Sequence, residues 1–178
     1  MMPTYSFFES IMKRSLLLTA IGLLFAGTAQ AELPVGWRVP TTQELDDGTD
    51  WRKKDANLFL SASGDFDGDQ KKDSAQLLVN DSKNSMALFV ILSSQNYKPM
   101  LLDEIKDKKM IGAMGISLAK PGSYKTACGK DYFDCKKNEP DNILLEGLAI
   151  DYFKEESANS FFVWQPKSRS FVRYWMSD

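Results

Sequence analysis

The chain has 178 residues, 43% of them hydrophobic and 26% charged, with a formal net charge of -2. That is the profile of a folded globular protein large enough for one domain with a real core, and the lack of a clustered basic run disfavours nucleic acid as a partner. Histidine is absent and cysteine occurs only twice, which excludes Ser-His-Asp and Cys-His catalysis and every His-bearing or four-thiolate zinc site.

In chain order, the first element is a leader. Lys13 and Arg14 precede SLLLTAIGLLFAGTAQA, in which an apolar stretch runs from Leu16 to about Phe25 and small residues stand at Ala29 and Ala31. A basic start, an apolar middle and a small-residue end make a signal peptide. Residues 1–31 are expected to be removed after Ala31, with Met12 as an alternative start. The apolar stretch is shorter than the ~20 residues of a membrane span. The expectation is a periplasmic or secreted protein of the bacterial-type cell envelope, with no stable membrane anchor.

Residues 32–56 are rich in Pro, Gly and charge and read as an N-terminal arm packing on the body. Thr41 or Thr42 is placed to cap a short helix over TQELDD. Trp37 and Trp51 are expected to fold the arm back, because large indoles rarely stay in water. Residues 57–178 form a single β-rich domain in this reading. NLFLSAS, SAQLLVN, SMALFVILSS and YKPMLLDEI are short apolar or alternating runs between Asp, Gly, Asn and Ser clusters. IGAMGISLA is a weaker strand candidate because its glycines disfavour extended structure.

KPGSYKTACGKDYFDCKKNEPD reads as a long loop. Cys128 and Cys135 lie within it, and in an oxidising compartment two nearby cysteines are expected to pair as a structural disulfide. NILLEGLAIDYFKE, NSFFVWQP and SFVRYWMS complete the strand set, the last two joined through the turn residues of QPKSRS. Along the final strand Phe171, Arg173 and Trp175 face one way and Val172, Tyr174 and Met176 the other. The aromatic set Phe161, Phe162, Trp164, Tyr174 and Trp175 is read as core packing rather than a recognition face. The expected fold is mainly β: an antiparallel meander or small sandwich with a short N-terminal helix or irregular arm.

The sharpest feature is SGDFDGDQKKDSAQLLV, residues 63–79. Asp65, Asp67, Asp69 and Asp73 crowd like charge into one turn, which destabilises a fold unless something neutralises it. A hard cation does so, since calcium takes six to eight oxygen ligands from carboxylates, carbonyls and water. The aspartates occupy loop positions 1, 3, 5 and 9, and the Lys71 carbonyl falls at position 7, where calcium loops recruit backbone oxygen. Gly68 permits a tight turn, and Phe66 is free to point into the core. The alternative is a solvated, metal-free Asp-Gly turn.

This segment resembles the calcium loop of FG-GAP or VCBS-type, integrin-like repeats, in which such a loop leads into a strand. The resemblance implies one Ca2+ bound by Asp65, Asp67, Asp69, Asp73 and the Lys71 carbonyl. Dockerin-type loops are similar over the first nine positions but continue into a helix and a carboxylate at position 12, where this chain has Gln76. Gln70 also departs from the pattern, at a position where such loops usually carry glycine. A single copy of the loop is too little for a full propeller, which needs at least four blades.

Carboxylate pairs such as Asp103/Glu104 and Glu155/Glu156 read as solvated surface rather than glycosidase machinery, and no nucleophile sits in a recognisable context. The functional expectation is an exported, non-catalytic binding or scaffolding protein whose partner is another protein, as in inhibitors and toxin-neutralising proteins. A calcium-dependent hydrolase and a calcium-responsive envelope sensor are the alternatives.

Overall fold

The structure is a computed structural model that describes residues 32–137 and 139–177; the expected signal peptide lies outside the described residues. Among the described residues it is mainly β, with ten strands in antiparallel sheets, one short helix and no closed barrel. The helix α1 spans Thr42–Leu45, and Thr41 caps it. The Glu44 N–H donates to Thr41 Oγ1 while the Thr41 N–H donates to the Glu44 carboxylate, so two otherwise orphaned donors are satisfied reciprocally. Among the described residues no helix is long and apolar enough to cross a membrane.

Strands β1 (Ser61–Gly64), β2 (Asp73–Asn80), β3 (Ser85–Ile91) and β4 (Pro99–Ile105) form one meander sheet in that order. Strands β5 (Met114–Ala119), β8 (Ala149–Lys154), β9 (Asn159–Gln165) and β10 (Ser170–Trp175) form a second, with β5 and β10 at its edges. A small ladder pairs β6 (Gly122–Lys125) with β7 (Asn142–Leu145).

The two large sheets share one core, to which Leu77, Val79, Leu88 and Val90 contribute from the first and Ile116, Ile150, Tyr152 and Phe162 from the second. Each such aliphatic side chain, fully withdrawn from water, contributes about 2 kcal/mol. Strand alternation then fills the outer faces. Leu78, Ala87 and Phe89 lie under Trp37 of the arm, so β3 is buried along its whole length and reads as an unbroken apolar run. Phe161, Val163 and Tyr174 pack with Ile143 and Leu145 of β7. The C-terminal aromatics are therefore divided between two cores, as packing rather than as one recognition face. Trp175 alone among them is exposed, with the Arg173 guanidinium carbon 4.0 Å from its ring centre.

Several elements differ from the sequence expectation, each for a local reason. NLFL is a turn rather than strand, because Phe59 takes a left-handed backbone (φ 62°) and stacks on Trp51. Residues Lys108–Gly112 form a 3-10 turn where a strand was expected to begin at Ile111. Strand β5 tolerates its glycine because Gly115 lies directly under the Phe153 ring, where any side chain would clash. β6 lies within the expected loop, and Tyr124 anchors it in the outer core. The run NILLEGLAIDYFKE is two strands, since Ile143 pairs with β6 and Ile150 with β5 and β9.

The arm is tied down by charge as well as by indoles. Arg38 makes paired hydrogen bonds to both carboxylates of Glu44 and Asp81, and Lys108 reaches the same two groups. Hydrogen bonds from Arg38 hold the Glu44 carboxyl well below the ordinary carboxylate range against the opposing effect of burial. The same donor, then Lys108, lowers Asp81 to about 2. Carboxyls depressed in the folded state contribute stability that is complete above their unfolded values near 4 and lost as pH falls. Unfolding free energy should therefore drop between about pH 4.5 and pH 2. Arg38→Gln should flatten that acid limb in urea titrations at stepped pH, and comparison with the parent cancels every other carboxylate. An unchanged slope would show that the cluster makes no pH-dependent contribution.

Candidate metal centre

The loop between β1 and β2 is fixed at both ends by ladder pairing, with Gly64 opposite Asp73. Phe66 is buried in the shared core, so the aspartates on either side of it are held over the sheet edge rather than left to wander. Gly68 adopts φ 81° and Gln70 φ 65°. The Gln70 conformation costs about 1 kcal/mol in any residue with a Cβ, a cost that glycine would avoid.

Side chains and main chain interlock within the turn. Asp65 accepts the N–H groups of Gly68 at 2.7 Å and Gln70 at 2.9 Å. Asp67 accepts the Asp69 N–H at 3.2 Å and the Ser94 hydroxyl. Asp73, only 2% exposed, accepts Phe66 N–H on one oxygen and Ser93 N–H on the other, both at 2.9 Å. Carboxylate oxygens of Asp65, Asp67 and Asp73 all lie within 4.8 Å of one another.

Asp69 stands outside that group. Its oxygens accept the Ser93 hydroxyl at 2.6 Å and the Lys71 N–H at 2.8 Å, and the Lys71 ammonium lies 3.8 Å away. The Ser93 hydroxyl is the chief reason that the Asp69 carboxyl is lowered. Asp73 moves the other way. Burial raises it, the two main-chain donors oppose that, and the neighbouring Asp67 and Asp69 raise it further. Burial and like charge both penalise its ionised form, and a cation beside it would reverse that penalty.

The donors at this turn are hard oxygens without a nitrogen or sulfur, which fits calcium or magnesium rather than a transition metal. The sequence reading missed Ser93 and Ser94. They arrive from the 3-10 turn Ser93–Gln95 after β3, brought alongside because β3 runs antiparallel to β2 with Ile91 opposite Ser74. The only signal for them was two hydroxyls ending an apolar strand. Asp67 and Gly68 also line a cleft of about 410 Å³, together with Leu148 and Trp164.

Elsewhere, Cys128 and Cys135 are at disulfide distance, with Sγ atoms 2.04 Å apart. The carboxylates Asp103 and Glu104 are engaged by Arg173 and Lys106. No protein-family model, no curated protein and no solved structure matches this chain.

Proposed function

We propose that this is an exported, non-catalytic binding protein of the cell envelope, whose β1–β2 turn is locked by one calcium ion. The observation that carries the metal reading is the convergence of the Asp65, Asp67 and Asp73 oxygens within 4.8 Å. Three carboxylates that close repel by between about 1 and 4 kcal/mol per pair, depending on intervening water, and a divalent cation turns that repulsion into attraction. The spacing shared with FG-GAP-type loops supports calcium over magnesium, since the loop offers several carboxylates and carbonyls rather than an octahedral water shell. Asp69 and the Lys71 carbonyl belong to the proposed ligand set through that resemblance. The binding role is favoured over hydrolysis because Asp103 and Glu104 each have a cationic partner, an arrangement that leaves neither poised as a general acid.

Melting with millimolar calcium against excess chelator tests this. A ligand that binds only the folded state at a hundredfold over its Kd adds about 2.7 kcal/mol, a shift of several degrees for a chain of this size. Asp65→Asn and Asp67→Asn should each abolish most of the shift. Coincident melts for the parent in calcium and chelator would remove the metal from the proposal.

A further inference from the structure

We propose that the outer edge of β10 is a docking edge, which takes an acidic, extended segment of a partner protein as an added strand. This deepens the binding reading and rests on it for the existence of a partner, but it does not rest on calcium. In an antiparallel pair, successive residues alternate between exchanging main-chain bonds with the neighbouring strand and pointing them away. The Met176 N–H donates to the Asn159 carbonyl at 2.8 Å. With Tyr174 opposite Phe161 and Val172 opposite Val163, the main-chain groups of Val172 and Tyr174 serve β9. Those of Phe171, Arg173 and Trp175 point outward. The Trp175 carbonyl already accepts the Ala127 N–H at 2.8 Å from that outer side. Among the described residues, no main-chain partner outside the ladder meets Phe171 or Arg173.

The other large-sheet edges are protected in recognisable ways. The β5 edge is covered where the Ile116 N–H donates to Phe59. β4 opens with Pro99, carries a register shift against β3 and bears Asp103 and Glu104. β1 has only four residues. β10 has six, with Val172 38% and Trp175 40% exposed.

Charge chooses the occupant. A groove of about 440 Å³ runs beside the strand, with Lys136, Lys137 and Glu139 among its walls. Arg173 is matched by Asp103, which leaves an excess of positive charge. The loop's aspartates Asp131, Asp134 and Asp141 line a different depression, around the disulfide. A second copy of the chain would bring like charges together, whereas an acidic strand complements them. Strand addition supplies main-chain bonds for affinity and alternate side chains for selectivity.

The test uses the oxidised, full exported chain and two capped eight-residue peptides, one alternating Val with Glu and the other Val with Lys. The Glu peptide should slow amide exchange at Phe171 and Arg173 at least tenfold and bind at least tenfold more tightly than the Lys peptide by calorimetry. The double variant Lys136→Glu, Lys137→Glu should invert that preference without altering the melt. Equal binding of the two peptides, no protection at these amides, or a concentration-dependent dimer protecting them would each overturn the proposal. Pull-down from the producing cell separates the two failures. A partner still captured by the double variant refutes the edge alone, and a parent chain that repeatedly captures nothing refutes the binding role itself.

Discussion

Asp73→Ala is expected to lower the unfolding free energy by about 3 kcal/mol even in the presence of a chelator, because this carboxylate holds two main-chain donors in a buried place. Phe66 N–H and Ser93 N–H each lose their acceptor, and a buried donor left unsatisfied costs about 1 to 3 kcal/mol. Asp73→Asn keeps one amide oxygen and should lose roughly half as much. Asp65→Asn and Asp67→Asn should behave differently. Their half-buried carboxylates serve bonds within the turn and, for Asp67, the Ser94 hydroxyl. An amide oxygen still accepts these, so in chelator these variants stay near the parent as relief of like-charge repulsion offsets their losses. In calcium all of them should lose the metal-dependent increment. Urea unfolding of the four variants in both buffers separates the two roles of the cluster. An Asp73→Ala protein no less stable in chelator than Asp65→Asn would show that the two N–H groups find other acceptors.

That division explains how much of the site was legible in the sequence. Aspartates at alternate positions around a glycine announce a turn that wants neutralising, and the strand-like run after them announces its β context; both readings use only local spacing. The grouping of Asp65 and Asp67 with Asp73, and the turning of Asp69 toward Ser93, depend on which strand lies beside β2. That is a tertiary fact with no local signature. The fold follows the same rule. The alternate facing of side chains along β10, which sends Phe171 and Tyr174 to different cores, and a helix cap at Thr41 or Thr42 were readable, because each is set by neighbours a few residues away. The break at Gly147 was not, because one apolar run supplies strands to two sheets and periodicity carries no mark of the switch. NLFL reads as strand by composition and fails because Phe59 is recruited to stack on Trp51 and to meet Phe153 edge to face, contacts that override propensity.

Arg52 is the residue the sequence hid most completely, and its replacement is expected to have the largest effect. In DWRKKDA it is one of three consecutive basic residues in a charged arm, yet it is 6% exposed. Its guanidinium donates to the carbonyls of Leu58 at 2.9 Å, Ile111 at 3.1 Å, Gly112 at 2.7 Å and Met114 at 2.6 Å. The Trp51 ring centre lies 3.9 Å from its central carbon, adding a cation–π contact. Burial pulls the group down to about 10, which leaves it cationic at neutral pH. Among the described residues no carboxylate pairs with it; carbonyl dipoles from the end of the 3-10 turn and the start of β5 do that work. Arg52→Met preserves the stem and removes every donor, so four carbonyls lose a charge-assisted bond. We expect a loss of about 4 kcal/mol, a large share of the 5 to 15 kcal/mol that holds a domain together, and a melting temperature lower by roughly 10 °C. Arg52→Lys, with three donors on a single nitrogen, cannot span four acceptors and should fall between the two. Because these bonds join the arm to the sandwich, the Met variant should also be cut faster by trypsin after the neighbouring Lys53 and Lys54, both exposed. Equal cleavage rates together with a loss under 1 kcal/mol would mean that the arm is held by Trp37 and the Arg38 cluster alone, and that the buried cation contributes no net stability.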